Sequence, residues 1–315
     1  GSRGGAGRVG TVPAVRGRAA SWAQVRGWWG WAPVGLFLGT RAATAFVAWL
    51  AYRHQPGVPF ESLLTTWDAS WNAMVADRGY VELAPGGVVG HPLQMLAFFP
   101  VLPMLARGVH AVTGVSVPYA GMVVSMACGL AGTVALWRLV QRRYDRDVAS
   151  DSVLLLLVAP FAFVFSLFYT EGPALLATAL CFLALDRRRW GWAGVAALVG
   201  GLIRPDGFLF VVPCLVSAVL ASRAHRDWRA LAAPLLAPLG FVAWVTYAWH
   251  RTGQVGGYFT LQRSGWGAAV DFGAESFHSV VDLVTFHWTD MDRVLNAAAL
   301  LVIGGIGLVL AVRRR

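Results

Sequence analysis

The chain contains no lysine: all 26 basic residues among its 315 are arginine. Charge of either sign is scarce, at 13% of residues, where a soluble globular domain carries about 25%. That deficit excludes an ordinary soluble fold and leaves a polytopic membrane protein. The missing lysine accompanies heavy use of Ala, Gly, Val and Arg, the codon bias of a GC-rich genome. Cysteine is nearly absent too. Cys128, Cys181 and Cys214 each sit inside an apolar run without metal-ligand spacing, which argues against a disulfide framework and a zinc site. Acidic residues number 16, leaving a formal charge of +10. The arginines gather at the ends of apolar segments, where they act as orientation signals. Their placement gives no reason to expect a nucleic-acid partner. No cleavable leader pattern precedes the first apolar segment, which is long enough to read as a span.

What the chain does have is apolar length, with 57% hydrophobic residues. A span needs about 20 of them in a row. Residues 1–27 are rich in Gly and Arg and read as a disordered basic cytoplasmic tail. Residues 28–315 read as a single all-α transmembrane domain of about eight helices. The expected spans are residues 32–52, 117–140, 153–169, 173–185, 190–203, 208–221, 231–249 and 294–312. Arg41 lies inside the first and is costly there unless it faces a protein-lined cavity. Two long polar loops, about 53–116 and 251–293, complete the pattern.

Residues 96–113 are apolar but broken by Pro100 and Pro103, and read as re-entrant or surface-lying. With that segment not crossing, the arginine clusters at 142–146, 187–189, 223–229 and 313–315 all fall on the side of the basic tail. This agrees with the positive-inside rule and puts both termini in the cytoplasm. The unusual polar residues then collect on the opposite, extracytoplasmic face. They are the 53–116 loop, Tyr169-Thr170-Glu171, Arg204-Pro205-Asp206-Gly207 and the 251–293 loop. A transporter would more often carry polar groups at mid-depth on several spans.

Thr66-Trp67-Asp68-Ala69-Ser70-Trp71 stands out in the first outer loop. On a helix, Trp67, Trp71 and Met74 share one face, the pattern of an interfacial amphipathic segment, with Asp68 one residue off it. Spacing alone fits a Trp-anchored connector capped by its Asp as well as it fits a site. Asp77, Arg78 and Tyr80 fit a loop-fixing role. Asp290-Met291-Asp292 is DxD-like, a weak cation signal, and His91, His278 and His287 lack ligand spacing.

Five blocks in order carry a resemblance. Trp67-Asp68-Ala69-Ser70-Trp71 with Ala76-Asp77-Arg78-Gly79-Tyr80 resembles the first block of the PIG-V family, the GPI mannosyltransferase 2 family. Phe98-Phe99-Pro100-Val101-Leu102-Pro103, Tyr169-Thr170-Glu171, Arg204-Pro205-Asp206-Gly207, and Phe259-Thr260-Leu261-Gln262 with Trp266 are similar to its later blocks. The sequence departs from them at Asn72 (Tyr in the family), Val101-Leu102 (Leu-Tyr), Gly172 (Ser) and Asp206 (Thr or Asn). It is also short for the family, so a C-terminal span is expected to be missing.

The resemblance implies a GT-C glycosyltransferase fold in the cell membrane. It implies mannose transfer from a polyprenyl- or dolichyl-phosphate-mannose donor to an extracytoplasmic glycolipid, lipoglycan or protein acceptor. It points to Asp68 as general base of an inverting displacement, its flanking Trp67 and Trp71 limiting water and stacking on sugar. Arg204 is then the phosphate partner, its alternative a snorkelling interfacial arginine. Glu171 would orient Arg204 or a sugar hydroxyl, or merely complement a helix dipole. Gln262 and Trp266 would contact sugar or acceptor, or pack a loop. No cofactor and no divalent metal are expected, because a lipid-phosphate donor does not require one. The rival readings are a transporter or lipid flippase gated by the outer polar clusters, and a catalytically inactive partner subunit of a mannosyltransferase complex.

Overall fold

The computed structural model describes residues 31–54, 57, 60–83, 91–267, 271, 273–287 and 291–313. The basic tail 1–27, Asp290, Arg314 and Arg315 lie outside them, as does the Asp292 side chain. Among the described residues all regular structure is helical. Four stretches are long and apolar enough to cross a membrane: Ala32–Arg53, Val117–Gln141, Pro205–Ala224 and Trp228–Thr252. The described chain divides into two compact units, Gly1–Val81 with Phe98–Tyr247, and Glu82–Ala97 with Ala248–Arg315.

The first unit opens with α1 (Ala32–Arg53), started by proline in its first turn. The short α2 (Phe60–Leu64) and α3 (Asp68–Arg78) follow. Next come α4 (Val101–Thr113), α5 (Val117–Gln141), α6 (Arg146–Val158), α7 (Glu171–Asp186) and α8 (Trp190–Gly201). The unit continues through α9 (Val211–His225), α10 (Ala232–Leu236) and most of α11 (Leu239–Thr252). Some expected spans form helices too short to cross a bilayer unaided. With 16 and 12 residues, α7 and α8 are only about 24 and 18 Å long, against a hydrocarbon core of about 30 Å. The 13 residues of α4 reach about 20 Å.

The expected span 153–169 is not one helix. It breaks where Ala159 precedes Pro160, because the proline ring drives the residue before it out of the helical region; Ala159 has ψ 145°. A 3₁₀ turn, Ala162–Ser166, follows. The break leaves carbonyls without helical partners, and Arg41 of α1 supplies donors. Its guanidinium donates to Leu157 O at 3.2 Å, to Ser166 Oγ at 3.2 Å and to Ala162 O. It also lies over the rings of Phe37 and Phe165, 5.6 and 5.9 Å from their centroids. The buried charge inside the first expected span is therefore committed to closing a helix break, in an enclosed setting where unmet carbonyls are costly.

Helix α5 packs against α1, α3, α4, α6 and α7. Its closest approach is to the start of α7. A Cβ on Gly172 would lie 2.2 Å from Ser125 O, so only glycine lets the two backbones meet there. This accounts for Gly172 at a position where the resembling block carries serine. At the far end, Arg142 and Arg143 both bind Asp186, at 2.5 and 2.7 Å. Trp190 Nε1 donates to Asp227 Oδ2 at 2.8 Å. These bonds gather the arginine-rich turns around 142, 187 and 227 at one end of the unit.

The second unit contains α12 (Gly257–Trp266), α13 (Ala274–Val284) and α14 (Met291–Arg313). Within it, the buried Gln94 Nε2 donates to Leu261 O at 2.9 Å, anchoring the segment before Ala97 on α12.

Candidate functional site

Helix α3 is held in place from several sides. Its buried face is Ala69, Asn72, Val75 and Ala76. Ala69 and Ala76 join a core with Phe168, Leu102, Val117 and Val124, while Asn72 donates to Phe168 O at 3.4 Å. Arg107 of α4 clamps the C-terminal end, donating to Ala76 O at 2.7 Å and Asp77 O at 2.8 Å, where a cation also complements the helix dipole. Trp71 stacks on Phe98, centroids 5.5 Å apart and planes 11° apart. Tyr80 Oη donates to Phe98 O at 3.1 Å. The first two sequence blocks are thus joined by direct packing.

The expected face of Trp67, Trp71 and Met74 does not form. Trp67 precedes the helix with φ 49°, ψ −126° and is 70% exposed. The sharp turn at Trp67 instead makes Asp68 the first residue of α3. Asp68 sits at an exposed rim, yet the surrounding protein strips part of its hydration. That loss, with the Glu171 carboxylate nearby, raises its pKa above the ordinary aspartate value; Arg204 opposes the rise.

Glu171 is the first residue of α7. Arg204 follows α8, in extended conformation, just before the 3₁₀ turn Pro205–Phe210. Arg204 Nη1 donates to Glu171 Oε1 at 2.8 Å and Nε to Asp206 Oδ1 at 3.1 Å. Partial burial works against the guanidinium's charge, but the two carboxylates outweigh it and raise its pKa. The second Glu171 oxygen, Oε2, is buried with no hydrogen-bond partner among the described residues. Tyr169 completes the group. Its hydroxyl donates to Thr66 O at 3.4 Å and lies within electrostatic reach of Asp68 and Glu171. From Arg204 an apolar groove of about 320 Å³ runs past Thr178, Phe182, Leu209, Phe210 and Pro213.

Asp68, Glu171 and Arg204 therefore form one electrostatic cluster from three distant parts of the chain. Asp206 and Tyr169 belong to it as well; their blocks were legible in the sequence, but no role had been assigned to either residue. Gln262 and Trp266 belong to the second unit. There Gln262 Nε2 donates to Tyr258 Oη at 3.0 Å and Ala97 O at 3.3 Å, and Trp266, at the end of α12, is 43% exposed. Among the described residues no group of three His, Cys, Asp or Glu is placed to hold a metal ion.

A protein-family profile described as dolichyl-phosphate-mannose-protein mannosyltransferase matches residues 91–250, just over half of the chain. The match takes in Glu171, Arg204 and the groove beside them. No curated protein and no solved structure matches.

Proposed function

The chain belongs to the dolichyl-phosphate-mannose-protein mannosyltransferase family and is a hexosyl-transferring membrane enzyme; from that premise we propose that it moves mannose from polyprenyl-phosphate-mannose to a glycolipid, lipoglycan or protein acceptor at the extracytoplasmic face. The PIG-V-like blocks support a mannosyl donor of the same lipid-phosphate class. The observation that carries the proposal is the cluster itself: a carboxylate of raised pKa beside a carboxylate-bound arginine, with an apolar groove leading away from the arginine.

In this mechanism Asp68 takes the proton of the acceptor hydroxyl. The oxygen attacks the anomeric carbon as the bond from that carbon to the phosphate oxygen breaks, inverting the configuration. Polyprenyl phosphate leaves with both electrons of that bond. Arg204 meets the phosphate charge through its forked N–H donors, and the lipid chain follows the groove past Phe182 and Phe210. Glu171 fixes the guanidinium through Oε1 and offers the unpartnered Oε2 to a sugar hydroxyl. Trp67 and Trp71 bound the acceptor side, with Trp67 free to stack on a sugar ring. Gln262 and Trp266 are proposed acceptor contacts. The phosphate charge is met by arginine, so transfer should survive chelation by EDTA. The transporter alternative leaned on Arg41, whose two terminal guanidinium nitrogens are engaged at the α6 break.

The test is transfer of radiolabelled mannose from polyprenyl-phosphate-mannose in membranes containing the natural chain or Asp68→Asn. Loss of at least about 100-fold at equal abundance is expected for removal of a general base. Equal transfer by the two would remove Asp68 from the chemistry.

A further inference from the structure

At the end of α7 and α8 remote from Glu171 and Arg204, two grooves that share one ridge open beside a cluster of arginines. The first, about 430 Å³, runs the length of α7 and α8, from Pro173 and Ile203 past Leu180 and Val199 to Arg187 and Arg189. The second, about 620 Å³ and more open, runs on the other side of α8 past Ala232 and Leu236 to Arg189 and Arg229. Trp192 and Val195, one helical turn apart on α8, line both and separate them. Arg189 stands at the mouth of both.

The charge at this end is unbalanced. The two nearest carboxylates are occupied: Asp186 by Arg142 and Arg143, Asp227 by the Trp190 indole and the Arg229 amide. The side chains of Arg187, Arg189 and Arg229 have no carboxylate partner among the described residues. Trp192 is 69% exposed at the same level, where an indole is stabilised at a membrane boundary. From Trp190 the 12 residues of α8 extend about 18 Å, roughly the depth of one leaflet.

We propose that this is a binding site for one anionic glycerophospholipid of the leaflet on the arginine side. Its phosphate bridges Arg187, Arg189 and Arg229, and its two acyl chains lie in the two grooves astride Trp192 and Val195. Twin grooves fit a two-chain lipid, whereas a single-chain polyprenyl phosphate would fill one and leave the other open. Three free guanidinium groups select an anionic headgroup over a zwitterionic one. The headgroup arginines lie a helix length from Glu171 and Arg204 and take no part in the proposed transfer, so the test reads lipid retention independently of the transfer chemistry.

The experiment is native mass spectrometry of the full chain in detergent, offered equal amounts of phosphatidylglycerol and phosphatidylcholine. The expected result is one retained phosphatidylglycerol per chain. Retention should fall about tenfold or more in the Arg187→Gln/Arg189→Gln double variant. It should be kept in Arg187→Lys/Arg189→Lys, which preserves the charge, and in Arg78→Gln, whose arginine is remote in sequence and outside both grooves. Trp192→Ala should lower retention by removing the ridge. Equal retention of the two lipids, unchanged retention in the double Gln variant, or one-for-one displacement by polyprenyl phosphate would each overturn the assignment, the last giving the grooves to the donor.

Discussion

Asp68 feels two opposing charges, and kinetics can separate them. A general base must be ionised, so activity should rise with pH as Asp68 loses its proton. Because lost hydration and Glu171 raise its pKa, the acid limb should sit above the ordinary aspartate value of about 3.9. Glu171→Gln removes a like charge and should move that limb to lower pH. Arg204→Gln removes the opposing charge and should move it to higher pH. Opposite shifts in the residual rates of the two variants would support the arrangement; limbs that do not move would mean that a different group titrates. The three charged residues were legible in the sequence because carboxylate and arginine chemistry coincided with ordered blocks. Tyr169 was not, because its hydroxyl meets Thr66 only after the chain has folded back over 103 residues. Trp67 was placed on a helical face by spacing, which carries no trace of the positive φ that turns it out of α3.

At the scale of elements, two contacts set where the functional side chains stand. Gly172 seats the first turn of α7 on α5, and Glu171 is its neighbour. Gly172→Ser should force the backbones apart at a cost of about 1–3 kcal/mol, seen as a lower melting temperature in detergent. Transfer should fall more than abundance does, because Glu171 and its arginine move with the helix start. A variant of normal melting temperature and rate would show that the contact relaxes freely. Arg41→Met should leave the carbonyls of Leu157 and Ala162 unmet, about 1–3 kcal/mol for each group. Fluorescence-detected size exclusion would read this as loss of the monodisperse peak, with Arg41→Lys losing less. The helix break was readable in principle from Ala159-Pro160, since proline restricts the residue before it. Apolar length alone hid it, because hydropathy counts residues and does not ask whether their carbonyls are paired. The pairing of Arg41 with that break, 116 to 125 residues away, had no sequence signal.

At the scale of the whole chain, the sequence predicts that plain arginine turns and the polar blocks lie on opposite sides of the membrane. Within the first unit, the Asp186 and Trp190 bonds gather three arginine-rich turns at one end of α7 and α8, with Glu171 and Arg204 at the other. Yet α7 reaches only about 24 Å, less than the hydrocarbon thickness of about 30 Å. It can separate the two faces only if the flanking residues 167–170 and 187–189 complete the crossing, with arginine heads reaching outward to water. Single cysteines in a background lacking Cys128, Cys181 and Cys214 decide this. Asp77→Cys, exposed at the end of α3, should react with an impermeant maleimide on intact cells. Tyr144→Cys, in the exposed turn after α5, and Arg188→Cys, in the turn after α7, should react only once the membrane is opened. If position 188 reacted from the same side as position 77, α7 would not cross, and the arginine turns would not mark an inner face. The extracytoplasmic placement of Asp68 would then lose its charge argument while the cluster of Asp68, Glu171 and Arg204 stood unchanged. Labelling therefore tests the sidedness of the reaction separately from its chemistry.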